Sequence, residues 1–156
     1  MEDDRFAVWR ALLGAQGLIA DRIDRMMVDE ADITLAEFEV LDRLAGSDDN
    51  TLRMNELAAS VRLSPSGLTR RFDSLVRRGW VTREPCADDR RGINARLTAA
   101  GLKEHSAAVG VHDEGVVTFM LDNLDAEETE CLTRVLGRLA EINDPRGVAA
   151  TAGATR

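Results

Sequence analysis

Residues 52–97 read as a short helix, a turn, a second helix loaded with arginine, and a β-hairpin whose tip holds Asp88-Asp89-Arg90-Arg91-Gly92. That order leaves few folds open. A helix of this size fits a DNA major groove. An arginine-tipped hairpin directly after it can reach the neighbouring minor groove. The rest of the chain has to carry such a unit.

The local signals are specific. Residues 55–61 form a short helix presenting Leu57, Ala58 and Val61, poorly capped because Arg53 or Met54 stands at its start. Ser64 caps the next helix, with Pro65 at its first position and Leu63 and Leu68 as a hydrophobic staple. Leu68, Phe72, Leu75 and Val76 are its inward stripe, so Ser66, Thr69, Arg70, Asp73 and Arg77 project outward. Gly79 ends it. Residues 80–84 and 93–97 are expected as two strands, joined by a polar loop over 85–92.

The flanks are helical. Apolar residues Val8, Trp9, Leu12, Leu13, Ile19, Ile23, Met26 and Met27 recur at helical spacing over 4–30, interrupted by Gly14 and Gly17, which suggests close packing or a bend. Thr34 with Glu37 forms a capping box for a helix burying Phe38, Leu41 and Leu44. It stops near Gly46, before a turn-rich loop over 47–50. Thr98 caps a long helix running to about residue 123. Asp125 with Glu128 caps a last one carrying Leu132, Val135, Leu136, Leu139 and Ile142, which Pro145 ends. The fold class is therefore mainly α with a small β-hairpin wing. A winged helix-turn-helix over 34–97 is flanked by helices 4–30 and 98–144, all in a single domain 1–145. Residues 146–156, rich in Gly, Ala and Thr, are expected as a disordered tail. The outer helices are more apolar than one small domain needs, and a two-fold dimer built from both chain ends would bury that surface.

A net charge of −8 argues against nucleic acid until its distribution is examined. Residues 62–96 hold nine arginines against four carboxylates, a surplus of +5 that leaves −13 on the remainder. Such asymmetry puts one cationic face on a repelling body. The alternative is scattered, solvated charge. No apolar run is long enough to span a membrane. The acidic start Met-Glu-Asp-Asp-Arg is unlike a signal peptide, so a cytoplasmic location is expected. Cys86 and Cys131 have no ligand-like spacing. His105 and His112 lie seven apart rather than the three or four of a helical metal pair, so neither a metal nor another cofactor is expected.

Double-stranded DNA is the partner these residues suit. The N-terminal part of a reading helix meets base edges, which makes Ser66, Thr69 and Arg70 the base readers. Arg70 can donate two parallel hydrogen bonds to guanine O6 and N7. Arg77 and Arg78, further along, suit phosphates, as do the helix-start amides at Ser66 and Gly67. Ser64, at the cap, joins this set. On the hairpin, Arg90 and Arg91 are the groove-reaching residues, and Asp89 can pair with Arg91 and fix its direction. The alternative for the helix alone is a surface helix with solvated arginines.

Residues 89–101, Asp-Arg-Arg-Gly-Ile-Asn-Ala-Arg-Leu-Thr-Ala-Ala-Gly, resemble the wing signature of the MarR (multiple antibiotic resistance regulator) family: Asp, any residue, Arg, a few strand residues, then Leu-Thr-x-x-Gly. Met54-Asn55-Glu56-Leu57-Ala58 and Ser66-Gly67-Leu68-Thr69-Arg70 resemble the two preceding helices, and the element order is also similar over nearly the whole chain. The resemblance implies that Arg91 is the minor-groove arginine, Asp89 its supporting carboxylate, and Ser66, Thr69 and Arg70 the major-groove readers. It further implies a homodimer joined by the first and last helices on a pseudo-palindromic operator. It implies a repressor released by a small aromatic or phenolic ligand in a cleft beside the reading lobe. Pro65 departs from the polar residue many relatives carry. No cysteine precedes Cys86, so the family's N-terminal thiol switch does not carry over.

Trp9, Gln16, Phe38 and His112 lie on helices bordering that implied cleft, with core or dimer packing as the alternative for each. Cys86 is expected as an ordinary loop thiol and Cys131 as a packed residue. A winged helix can also serve as a protein-interaction module without sequence-specific DNA binding. An enzyme is not expected, because no nucleophile–base pair, phosphate loop or metal motif occurs.

Overall fold

A computed structural model describes residues 5–61, 65–86 and 89–143, and of Arg5, Pro65, Asp89, Arg90 and Arg91 it describes the backbone alone. The element order is α1 (Arg5–Ala31), α2 (Leu35–Ala45), β1 (Thr51–Arg53), α3 (Met54–Ser60), α4 (Pro65–Arg77), β2 (Val81–Cys86), β3 (Asp89–Leu97), α5 (Ala99–Phe119) and α6 (Ala126–Asn143). Two compact units divide the chain, Met1–Val116 and Val117–Arg156. The expected tail over 146–156 and the stop at Pro145 lie outside the described residues.

In the first unit, one core joins the end of α1 to the helix-turn-helix and the sheet. Ile23 and Met27 of α1 are buried, as are Phe38, Val40, Leu41 and Leu44 of α2, Leu57 of α3, and Leu68, Phe72 and Leu75 of α4. Val81, Ala95 and Leu97 close it from the sheet. Val76, expected in the inward stripe of α4, is instead exposed. It follows Leu75 by 100° around the helix, beyond the reach of the core. Gly14 and Gly17 do not interrupt α1, and a Cβ at either would meet nothing within 4 Å.

Local chemistry sets the element ends. The Thr34 hydroxyl accepts from the Glu37 N–H while the Glu37 carboxylate accepts from the Thr34 N–H, completing the capping box of α2. α3 has half of one: Glu56 accepts from the Arg53 N–H. This offsets the poor cap residue. α4 ends in a Schellman turn. Gly79 takes φ +75°, its N–H donates to Val76 O, and the Trp80 N–H donates to Leu75 O. Thr98 caps α5 by accepting from the Gly101 N–H.

The sheet is larger than the expected hairpin. Its order is β1-β3-β2, all antiparallel, with Thr51 opposite Arg96 and Val81 opposite Leu97. Three residues are too few to show an alternating pattern, so β1 is silent in sequence. The segment read as a loop is mostly strand: β2 extends to Cys86 and β3 begins at Asp89. Pro85 is tolerated because β2 is an edge strand, where a missing N–H leaves no ladder bond unmade.

In the second unit, α5 runs out at Phe119 rather than at 123, and Leu121–Asn123 is a separate 3-10 turn. Asp125 and Glu128 make the expected reciprocal cap of α6: Glu128 accepts from the Asp125 N–H, and Asp125 from the Glu128 N–H. α6 buries no residue, and Leu132, Leu139 and Ile142 are exposed along it.

Candidate nucleic-acid interface

The candidate reading surface is built on α4. Its inner stripe is fixed by Leu68, Phe72 and Leu75, so helical geometry turns Ser66, Thr69, Arg70 and Arg77 to the outside, where all four are exposed. Ser64 lies outside the described residues. Arg78 corrects an expectation. Its guanidinium donates to Asp32 O at 2.6 Å and to Asp32 Oδ2 at 3.2 Å, and lies 4.5 Å from the centre of the Trp80 ring. It ties the end of α4 to the corner between α1 and α2 rather than facing phosphate.

The wing, β2 and β3, is joined to α4 by a residue the sequence reading passed over. Arg83 of β2 donates to Asp73 Oδ1 at 2.6 Å, and its guanidinium lies 4.9 Å from the centre of the Phe72 ring. Asp73 is the sole carboxylate on α4. A carboxylate on a face that meets phosphates needs a cation beside it, and that requirement was the available signal. Arg96 donates to Glu84 at 2.9 Å along the diagonal between β3 and β2. Among the described residues, Arg78, Arg83 and Arg96 are therefore paired within the chain.

At the tip, the register carries the information. Pro85 faces Ile93, yet the next residue, Cys86, faces Asp89. β3 thus holds Arg90, Arg91 and Gly92 between two partners that are adjacent on β2. Such a bulge breaks the ladder and leaves the extra residues without a partner on β2. The expected Asp89–Arg91 pairing involves side chains outside those described. Cys86 is a buried strand residue rather than a loop thiol, and its Sγ donates to Asn94 Oδ1 at 2.8 Å. Cys131, expected to be packed, is exposed on α6, because α6 has no core of its own.

Away from this surface, within the first unit, lies a cavity of about 740 Å³. Gln16, Phe38 and His112 line it, whereas Trp9 does not. Trp9 stands seven residues before Gln16 on α1, two turns up the helix, and is 57% exposed. The two histidines find an unexpected use. His112 and His105 stack on Phe38 with ring centres 4.6 and 5.4 Å away and interplanar angles of 23° and 11°. A seven-residue spacing puts them two turns apart, about 10.5 Å, which fits one aromatic ring between them. His105 Nε2 meets Asp42 Oδ1 at 3.1 Å, and His112 Nδ1 meets Asp113 Oδ1 at 2.9 Å. Among the described residues no group of three or more His, Cys, Asp or Glu side chains is placed to hold a metal ion. No helix among them is long and apolar enough to cross a membrane.

Residues 31–92 match the family model described as MarR family. The structure of Sco3205 from Streptomyces coelicolor, a MarR family transcriptional regulator in complex with DNA, is 30% identical and superposes with a TM-score of 0.83. That match covers 99% of this chain and 95% of the other. The chain belongs to the MarR family. Two more relatives bracket the likeness. The multiple antibiotic resistance protein MarR of Escherichia coli K12 is 29% identical over 119 residues, covering 76% of this chain and 81% of that protein. A mutant E. coli MarR complexed with operator DNA is 27% identical with a TM-score of 0.71, over 88% of this chain and 99% of that one. The family and these neighbours are transcription regulators rather than enzymes, and this chain is a DNA-binding regulator of the winged-helix type.

Proposed function

We propose that this MarR-family regulator is a homodimeric repressor that reads a pseudo-palindromic operator with α4 and the wing, and that a small aromatic ligand in the α1/α2/α5 cavity releases it. The observation that carries the reading surface is the common outward face of Ser66, Thr69, Arg70 and Arg77 on α4, held against the wing by Arg83. In this reading Ser66, Thr69 and Arg70 meet base edges, with Ser64 at the helix start and Arg77 on the phosphates. Arg90 and Arg91, in the bulge of β3, enter the minor groove with Asp89 as support.

Helices 4–30 and 98–144 serve as the dimerisation arms of the domain 1–145, around the winged helix-turn-helix over 34–97. The support is surface chemistry. Phe6, Val8, Trp9, Leu12 and Leu13 of α1 are exposed, as are Leu132, Leu139 and Ile142 of α6. A two-fold partner offers the same apolar faces in return. A dimer also matches two half-sites one helical turn apart. Ligand release then needs only a change in the spacing of the two lobes. A coupling of about 1–3 kcal/mol gives a 5- to 150-fold loss of affinity, and DNA must weaken ligand binding by the same factor.

The test is selection of bound sequences from a random duplex library, followed by titration of the winning site and a scrambled one with Arg70→Ala and Arg77→Ala. Arg70→Ala should cost about 1–3 kcal/mol on the selected site and relax the preference at one base per half-site. Arg77→Ala should weaken both duplexes equally and reduce the salt slope by about 1. Identical effects of the two substitutions on both duplexes would remove the base-reading role of Arg70. Failure of any sequence to be enriched would leave the fold as a protein-interaction module.

A further inference from the structure

We propose that the cavity beside Phe38 takes a planar aromatic cation, such as an amidinium or a protonated aromatic amine, rather than a phenolic carboxylate. This rests on the reading of the cavity as the ligand site and names the charge of what enters it. Its volume, about 740 Å³, suits a drug-sized molecule.

The charges on its wall decide the class. Glu39, Asp42 and Asp113 line it, and the one lining cation among the described residues is Arg43. Arg43 follows Glu39 by one turn on α2, so one carboxylate of its own helix stands on the same face. An incoming anion would have to compete with it. A cavity of this volume is about one Debye length across at 0.1 M salt, ~10 Å, so salt leaves a bound charge incompletely shielded from these carboxylates. Glu39, Asp42 and Asp113 outnumber Arg43 on the described wall. Outside residues 62–96 the chain carries −13 against a net charge of −8, which reinforces the sign.

The shape of the ligand follows from the ring stack. Phe38 is 4% exposed, closed off by the two histidine rings stacked on it. His112 lines the cavity and keeps a partly exposed side chain, so a flat ligand can stack where that ring is exposed. His112 is steadied in that orientation by Asp113. The floor therefore asks for a flat ring, and the wall asks for a positive charge on it.

Benzoate, benzamide and benzamidinium share one shape and carry charges of −1, 0 and +1. Each is titrated calorimetrically into the full-length dimer at low and at moderate salt, with ring signals of Phe38 and His112 followed by NMR. Benzamidinium should bind at least about tenfold more tightly than benzoate, weaken as salt rises, and shift the His112 signals. Glu39→Gln, an exposed substitution that keeps a hydrogen-bonding side chain, should weaken benzamidinium several-fold and leave benzamide unchanged, whereas Asp113→Asn, which also alters the hydrogen bond to His112, should weaken benzamidinium more than benzamide. Benzoate binding as well as benzamidinium or better overturns the charge assignment while keeping the site. Benzamidinium binding that neither substitution alters places the ligand elsewhere and overturns the proposal. Absence of binding by all three, up to millimolar concentration, removes the ligand cavity itself and the proposal with it.

Discussion

α4 and α6 carry apolar residues at the same helical spacing and meet opposite fates. On α4, Leu68, Phe72 and Leu75 are sealed. On α6, Leu132 and Leu139 are exposed, and Ile142 is 72% exposed. Periodicity reports that a face is apolar. It does not report whether the partner is the same chain or another. The difference lies in what surrounds each helix in sequence. α4 sits between short connections that fold α3 and the sheet onto it, while α6 follows the 3-10 turn Leu121–Asn123 and buries none of its residues. The N-terminal half of α1 behaves like α6, with Val8 71% exposed, whereas its C-terminal half, at Ile23 and Met27, behaves like α4.

The sharpest way to break this comparison is to truncate one residue of each kind. Phe72→Ala should cost about 3–5 kcal/mol and unfold the reading lobe, as the loss of a large, fully buried ring does. Chemical denaturation should show this as a lower midpoint in monomer and dimer alike. Leu139→Ala should leave the lobe folded and act on association. A partner would cover the 43% of Leu139 that is exposed, worth about 1 kcal/mol per copy. A two-fold interface counts it twice. Sedimentation over a dilution series should therefore show a dimer dissociating at higher concentration, with circular dichroism unchanged. An unfolded Leu139→Ala chain would place α6 in an intrachain core after all, and a folded chain whose dimer constant does not move would place Leu139 outside the interface.

A smaller effect marks the joint between the reading helix and α5. Gly101 lies against the start of the wing: a Cβ there would overlap the Trp80 carbonyl oxygen and come 2.7 Å from Leu97 Cδ1. Trp80 O already accepts from the Thr98 N–H and, like Gly79 O, from the Thr98 hydroxyl. Backbone held this firmly yields little, so Gly101→Ala should destabilise by about 1–3 kcal/mol, measured as a drop in Tm. Gly14→Ala and Gly17→Ala, by contrast, should stabilise an isolated α1 by up to about 1 kcal/mol each through helix propensity. The contrast separates glycine as a packing requirement from glycine as a mere helix cost.

Most of the architecture was legible because its signals are local. Capping boxes at Thr34 and Asp125, the turn at Gly79 and the cap at Thr98 are each written in a few neighbouring residues. What escaped depends on distant parts of the chain. β1 exists because β3 offers it an edge, not because Thr51-Leu52-Arg53 reads as a strand. The extension of β2 through Pro85 depends on which edge of the sheet is left open. In the site, the outward face of α4 followed from its inward face. The tie from Arg78 to Asp32 spans 46 residues, and the pair of histidines around Phe38 comes from another helix; neither leaves a mark on local pattern.

The smallest predicted effect concerns Arg83 and Asp73, which bind the wing to α4. Both side chains are partly exposed, so water and salt screen the pair, and exposed pairs contribute about 0.2–1 kcal/mol in double-mutant cycles. Little change in stability is therefore expected from Arg83→Ala, Asp73→Asn, or both. The effect on DNA should be more selective. Arg83 both cancels the one carboxylate on α4 and holds the wing root against it by lying over Phe72. Removing it exposes Asp73 to phosphates and loosens the direction of the wing. Arg83→Ala should then weaken binding most on operators whose preference comes from minor-groove width, and Asp73→Asn in the same chain should restore the charge loss but not the wing-dependent part. Titrating both variants against operators that differ only at the positions facing the wing separates the two terms. If the double variant recovers full discrimination at those positions, Arg83 acts by charge alone, and the stacking on Phe72 plays no part in aiming the wing.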